Sequence, residues 1–220
     1  MINIHNLGAG NSLLNQFISE VRSVNIQNDA MRFRRNMERI GEIFAYEVSK
    51  TLPYEKKKIT TPLGMVEMNI LKQQPVLATI LRAGLPLHQG LLNYFDKADN
   101  AFISAFRKHD LEGNFEIQVD YMTSPALKNR TLIIIDPMLA TGKSMVLAYK
   151  ELLTMGVPKH IHIVSIIAST TGIEYVQKYL PSSKCTVWIG AIDQELTAQS
   201  YIVPGLGDAG DLAYGAKMQE

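Results

Sequence analysis

Leu132-Ile133-Ile134-Ile135-Asp136-Pro137-Met138-Leu139-Ala140-Thr141-Gly142-Lys143-Ser144 is an apolar run, an acid, a tight loop and the start of a helix. Four consecutive apolar residues ended by a turn fit a strand buried on both faces. From Lys143 or Ser144 the pattern predicts a helix to Met155, closed by Gly156, with Pro158 beyond. Similar units flank it. Val76 to Leu81 is an apolar run followed by Arg82-Ala83-Gly84 and a helix-like stretch to Phe95, and Ala101 to Phe106 is another run. Ile161 to Ala168 precedes a helix ending near Leu180, and Thr186 to Ile192 is a further run. Short apolar strands alternating with helices predict an α/β fold, a parallel sheet flanked by helices. Residues 107–130 read as polar and irregular.

Outward from this core, Phe33, Met37, Ile40, Phe44 and Val48 step by four, three, four and four, the stripe of an amphipathic helix. Asn28 or Asp29 can cap its start, and Pro53 lies just past its end. Two β-rich pieces around Pro62-Leu63-Gly64 predict a hairpin over 59–70. Its apolar positions are sparse, which suits a segment that leans on a partner chain. Lys56-Lys57-Lys58 before it reads as a solvated face rather than a binding patch. The tail from Gln199 carries Pro204, Gly205, Gly207, Gly210 and Gly215 and reads as a shaped loop.

The whole chain has 220 residues, 46% of them hydrophobic and 20% charged, an ordinary globular balance that excludes a disordered or collagenous protein. Lys and Arg number 22 against 21 Asp and Glu, a net charge of +1, which argues against nucleic acid or anionic lipid as the main partner. A single cysteine, Cys185, excludes an intrachain disulfide and a multi-cysteine zinc site, and fits a reducing cytosol. No apolar run approaches the ~18 residues of a membrane span, and residues 1–17 show no signal-peptide pattern. The expectation is a soluble cytoplasmic protein of one domain, 1–220, with no linker and no internal repeat.

In open parallel sheets, ligands bind beyond the carboxyl ends of the strands. The residues there are Arg82-Ala83-Gly84, Arg107-Lys108, Asp136 to Ser144, and Asp193. Thr141, Gly142, Lys143 and Ser144 place backbone N–H groups and two hydroxyls at a helix N-terminus, a phosphate cradle. Asp136 can accept from hydroxyls or sit near a metal. An acid beside a phosphate cradle suggests a sugar phosphate. Gly142-Lys143-Ser144 mimics the end of a nucleotide-triphosphate loop, but that motif needs glycine where Pro137 stands. Taken alone, the stretch also fits a plain strand–helix turn without ligand.

Three stretches together say more. Ile134 to Gly142 closely resembles the phosphoribosyl-diphosphate loop of uracil phosphoribosyltransferases. Ile80-Leu81-Arg82-Ala83-Gly84-Leu85 and Tyr201-Ile202-Val203-Pro204-Gly205-Leu206-Gly207-Asp208-Ala209-Gly210-Asp211 match the same family in order. Arg32-Phe33-Arg34 and Tyr46-Glu47 are similar as well. The resemblance spans about residues 25–215.

The resemblance implies a type I phosphoribosyltransferase-like sheet. It comprises an N-terminal helical segment (1–55), a hairpin arm (56–72), core sheet and helices (73–198) and a C-terminal hood over the site (199–220). The implied reaction moves the phosphoribosyl group of 5-phosphoribosyl 1-diphosphate to uracil, giving UMP and diphosphate. Asp136, Pro137, Met138, Leu139, Ala140, Thr141, Gly142, Lys143 and Ser144 would hold the donor's 5-phosphate and ribose. Arg82 and Arg107 would hold its diphosphate, and guanidinium forks suit phosphate oxygens. Residues 108–125 would form a mobile loop that closes over the donor. Main-chain groups of Ile202, Gly207 and Ala209, flanked by Tyr201, would read the base. Asp208 would lie near donor, base and Mg²⁺, the metal being held through diphosphate and water rather than directly. Arg107 and Asp208 are the residues expected to carry catalysis.

A homodimer or homotetramer is also implied, and GTP is a candidate effector. Two positions depart from the family: Lys143 where a second glycine is usual, and Leu212 where a basic residue is usual. Lys143 either adds charge near the 5-phosphate or points outward. The rival readings are a nucleotide-triphosphate kinase, opposed by Pro137, and an RNA-binding regulator, opposed by Asp136-Pro137 and the net charge. His160 and His162 share a strand face without an evident third metal ligand, and Cys185 and Trp188 read as core residues.

Overall fold

The computed structural model describes residues 2–109 and 115–217, with side chains described outside 105–119. The chain begins with a short strand, β1 (Asn3–Asn6), and two helices, α1 (Leu13–Arg22) and α2 (Ala30–Ser49). Ser12 caps α1, accepting from the Leu14 N–H while Asn15 accepts from the Ser12 N–H. Asp29 caps α2 through the Arg32 N–H. The predicted stripe of Phe33, Met37, Ile40, Phe44 and Val48 is fully buried. Each such side chain contributes roughly 1.5–3 kcal/mol of apolar burial. Arg32 and Asn36 of α2 both donate to the buried Glu20 carboxylate, which ties α1 to α2. The Arg32, Asn36 and Gln16 bonds outweigh burial and hold that carboxyl down at about 2.

A hairpin follows, β2 (Tyr54–Thr61) and β3 (Gly64–Leu71), paired antiparallel around Pro62-Leu63. The core elements are β4 (Val76–Leu81), α3 (Leu85–Tyr94), β5 (Asp99–His109), β6 (Phe115–Thr123), β7 (Thr131–Ile135), β8 (Met138–Leu139) and α4 (Lys143–Leu152). They continue with β9 (His160–Ser169), α5 (Thr170–Tyr179), β10 (Cys185–Asp193), β11 (Glu195–Leu196), β12 (Ile202–Val203) and α6 (Ala209–Tyr214). The large sheet runs β1-β10-β9-β7-β4-β5-β6, with β8 added on β9. Its pairings are parallel except β5–β6, which is antiparallel.

Successive side chains of a strand point to opposite faces, and β7 shows the consequence. Ile133 and Ile135 pack into the core shared with α1, α2 and α3, whereas Leu132 and Ile134 pack into the core shared with α4 and α5. A strand covered on both faces must be apolar throughout, which explains the run Leu132 to Ile135.

Three expectations are corrected. Residues 115–123 are not irregular but form β6, which closes the sheet with an antiparallel edge. Asn3–Asn6, within the segment 1–55 expected to be helical, adds an edge strand parallel to β10. The tail is not loop throughout: Asp208 caps the short helix α6 by accepting from the Asp211 N–H. The predicted mobile loop 108–125 lies partly outside the described residues.

Strand β4 sits between β5 and β7. The chain leaves β4 through α3, which packs on one face, and leaves β7 through α4, which packs on the other. The two exits diverge and open a crevice at the carboxyl ends of the strands.

Candidate active site

The loop leaving β7 is fastened to β9 along its length. Ser165 Oγ donates to the Asp136 carbonyl at 2.6 Å, and the N–H groups of Ile166 and Ile167 both donate to the Pro137 carbonyl at 3.0 Å. Strand β8 then pairs with Ile167 and Ala168. Ser169 Oγ donates to the Ala140 carbonyl at 2.5 Å and accepts from the Gly172 N–H at 2.9 Å, so one hydroxyl caps α5 and pins the loop. Gly142 enters α4 at φ +75, and a Cβ there would lie 2.8 Å from the Gly172 carbonyl oxygen. Glycine is the residue that tolerates this conformation and this approach. The first-turn N–H groups and positive dipole end of α4 therefore terminate at a rigid loop, a site for anionic oxygens.

Asp136 stands at the crevice, its carboxylate accepting from the Met138 N–H at 3.4 Å. Burial pushes its carboxyl up to about 7, with that amide opposing. Across from it, Asp208 accepts from Lys217 at 2.8 Å. Burial pushes the Asp208 carboxyl up, but Lys217 and the N–H groups of Asp211 and Gly210 outweigh it and hold it below the usual range.

These two walls enclose one cleft of about 190 Å³. Asp136, Met138, Leu139, Ala140, Thr141, Gly142 and Ser144 line one side, and Tyr201, Ile202, Gly207 and Asp208 the other. The four residues from the tail are more than 50 residues away in sequence from those of the loop. Pro137, Lys143 and Ala209 adjoin the cleft in sequence without lining it; Ala209 is buried as the first residue of α6. Arg82 lies just outside, with Nη2 3.4 Å from Asp211 Oδ1 and 3.3 Å from the Gly215 carbonyl. Ala83 of the same turn does line the cleft. Arg107 lies on β5, and its side chain is outside the described residues.

Sequence reasoning missed Ser200 and Met145, which complete the lining, and Lys217, which neutralises Asp208. It also missed the partner of Asp193, Arg22, which is 2.8 Å away. A second cavity of about 640 Å³, between α2, α3 and Tyr214, contains none of the predicted donor or base residues. His162 accepts from the Trp188 indole N–H, and burial pushes His162 down to about 3, so it is a neutral core imidazole. Cys185 is buried, and burial pushes its thiol up to about 12. Among the described residues no helix is long and apolar enough to cross a membrane.

Comparison with known proteins places this geometry. The family model "Uracil phosphoribosyltransferase" matches residues 9–216. A uracil phosphoribosyltransferase of Porphyromonas gingivalis is 58% identical over 212 residues, covering 96% of this chain and 98% of its own. One from Methanococcus vannielii is 38% identical over 205 residues, covering 92% and 86%. Among solved structures, the AQ2163 protein of Aquifex aeolicus superposes with a TM-score of 0.85 at 28% identity, over 98% of this chain and all of that one. The adenine phosphoribosyltransferase of Trypanosoma brucei, solved with AMP, pyrophosphate and ribose 5-phosphate, shares the fold at a TM-score of 0.55 and 13% identity, over 91% and 87%. The chain belongs to the uracil phosphoribosyltransferase family.

Proposed function

We propose that the cleft transfers the phosphoribosyl group of 5-phosphoribosyl 1-diphosphate to N1 of uracil, giving UMP and diphosphate in pyrimidine salvage. The observation that carries this reading is the meeting of the 136–144 loop and the 201–208 segment in one cleft. One wall offers a helix N-terminus with the Thr141 and Ser144 hydroxyls, which suit a 5-phosphate. Asp136, one strand end away, suits the ribose hydroxyls. The other wall offers main-chain groups of Ile202 and Gly207, with Ala209 beside them, which suit the acceptor–donor–acceptor edge of uracil. Tyr201 flanks the ring.

In this reading diphosphate leaves the anomeric carbon through a transition state of oxocarbenium character, and uracil N1 bonds to that carbon as its N–H bond breaks, the proton passing to water or to the departing diphosphate. Most of the catalysis is positioning of the two reactants and stabilisation of the departing charge. Arg82 and Arg107 serve the departing diphosphate. The role of Arg82 is supported by its neighbour Ala83, which lines the cleft, and by its long, exposed contacts to Asp211 and the Gly215 carbonyl, which a diphosphate could replace. Asp208, kept ionised by Lys217, suits a water of Mg²⁺. Mg²⁺ keeps several waters and binds through substrate phosphates with one or two carboxylates; when bound it would offset the negative charge of the diphosphate.

Self-association belongs to the same proposal. The hairpin exposes Leu63, Met65, Val66 and Met68, apolar side chains that a second copy could cover. A cytoplasmic location is its companion, supported by a lone buried thiol.

The test is direct. The protein is mixed with donor, Mg²⁺ and, separately, uracil, cytosine, hypoxanthine or orotate, and nucleotide formation is followed. UMP from uracil alone is expected. Donor binding without product from any base would keep the phosphate cradle and reject the transfer.

A further inference from the structure

We infer that Arg22 and Asp193, neither of which lines the cleft, are positioning residues that set the affinity for the base by clamping the turn at Gly205; this rests on the proposed role of the 201–209 wall. Asp193 ends β10 and Arg22 ends α1, 171 residues apart. Their side chains pair through two parallel bonds, Arg22 Nη1 to Asp193 Oδ2 at 2.8 Å and Nη2 to Oδ1 at 2.9 Å. The same two atoms of the first bond also take both main-chain groups of one residue. The Gly205 N–H donates to Asp193 Oδ2 at 2.9 Å, and Arg22 Nη1 donates to the Gly205 carbonyl at 2.9 Å. The result is a closed ring of guanidinium, carboxylate and peptide groups.

The ring is fixed from behind. Asp193 is only 8% exposed, and Gln27 Nε2 donates to the Arg22 carbonyl at 2.8 Å. Arg22 belongs to the helix locked to α2 through Glu20. Charge-assisted, bidentate bonds of this kind hold geometry more tightly than neutral ones.

Gly205 is where such a clamp has leverage. It turns at φ +57, and a Cβ there would fall against the Ile202 carbonyl. Ile202 precedes it on the cleft wall, and Gly207 and Asp208 follow on the same wall. Strand β12 has two residues and, among the described residues, pairs with the two of β11 alone. Hydrogen bonding in a sheet ladder therefore does little to place residues 204–207. A base read by main-chain groups has no side chain that can adjust to a shifted wall, so the position of the backbone is the specificity. Misplacement by about 1 Å can cost roughly a hundredfold in a reaction that depends on orientation. The donor loop is held by the Ser165 and Ser169 hydroxyls and the main chain of β9, whereas the ring acts on Gly205 through the side chains of Arg22 and Asp193. The two meet through the β9–β10 ladder, where Asp193 lies opposite Ser169 and which a change of side chain leaves in place. Loosening the ring should therefore separate the two substrates.

The experiment measures KM for uracil by steady-state kinetics and Kd for donor with Mg²⁺ by calorimetry. The variants are Arg22→Met, Arg22→Lys and Asp193→Asn, with Gly207→Val, whose side chain strains the φ +93 backbone of the base wall itself. Arg22→Met and Asp193→Asn are expected to raise KM for uracil about tenfold or more, with donor Kd changed by less than about twofold. Arg22→Lys, which restores the charge without the fork, should recover part of the loss. If Arg22→Met does not fold, Arg22→Lys and Asp193→Asn decide by the same split. An unchanged uracil KM, or equal losses for both substrates, overturns the clamp. If Gly207→Val itself leaves the uracil KM unchanged, the base-wall reading has failed rather than the clamp alone.

Discussion

Replacing Asp136 by Asn should flatten the pH dependence of donor binding. The carboxyl is held at about 7 in the folded protein, against an ordinary value of 3.8, because burial disfavours its charge. An ionised carboxylate accepts from ribose hydroxyls more strongly than a protonated one. With a pKa near 7, about one-tenth of the molecules carry the carboxylate at pH 6 and about nine-tenths at pH 8. If binding requires that form, donor affinity rises roughly tenfold over those two pH units. Donor phosphates titrate in the same range, so the variant is the necessary reference. Asp136→Asn keeps the shape and the acceptor for the Met138 N–H, and it removes only the ionisation. Stability moves the opposite way. A raised carboxyl binds its proton more tightly when folded, so wild-type stability falls as pH rises from about 4 towards 7 and stays low above it. A gap of about 3 units corresponds to roughly 4 kcal/mol, and water in the open cleft should screen this to about 2 kcal/mol. Asp136→Asn should be more stable than wild type at pH 8 and nearly equal to it at pH 4. Calorimetric titration of donor with Mg²⁺ at pH 6, 7 and 8 reads the affinity, and thermal unfolding at pH 4 and 8 reads the stability. Parallel pH profiles for the two proteins would refute the assignment of Asp136 to the ribose.

Ser169→Ala removes one hydroxyl that both caps α5 and holds the Ala140 carbonyl. It should cost about 1–2 kcal/mol in denaturant unfolding and raise the donor KM while sparing that of uracil. Lys217→Ala frees Asp208 from its closest cation. The Asp208 carboxyl, now held low, should titrate at a higher pH, as followed by carbon NMR; stability should change by less than about 1 kcal/mol because the pair is partly exposed. Met37→Ala, in the fully buried stripe of α2, should cost about 2–5 kcal/mol in unfolding free energy and leave both KM values near wild type.

The central strands were legible because burial on both faces leaves no room for polar residues, as Leu132 to Ile135 show. Helix α2 was legible because it buries one face and spaces its apolar residues at the helical period. The edges were harder. Asn3–Asn6 has one aliphatic residue in four, and its pairing with β10 is supplied by the partner strand. Strand β6 was missed although Phe115, Ile117, Val119 and Tyr121 alternate with polar residues at the period of a half-buried strand. At the site, the 136–144 loop announces itself because its acid, hydroxyls and glycine are contiguous. The clamp does not, since Arg22 and Asp193 meet only after α1 and β10 are folded. Lys217 is hidden for a related reason: Gly215 turns the chain after α6, and that turn carries the lysine back to Asp208.

In the proposed function, donor and base occupy opposite walls of one cleft. A crystal structure with UMP bound tests it most directly. The expected result is the 5-phosphate within hydrogen-bond distance of Thr141 and Ser144 at the start of α4, the ribose hydroxyls on Asp136, and the uracil edge on main-chain groups of Ile202 and Gly207. A phosphate bound away from that loop, or a uracil ring held by side chains outside the 201–209 segment, would contradict it.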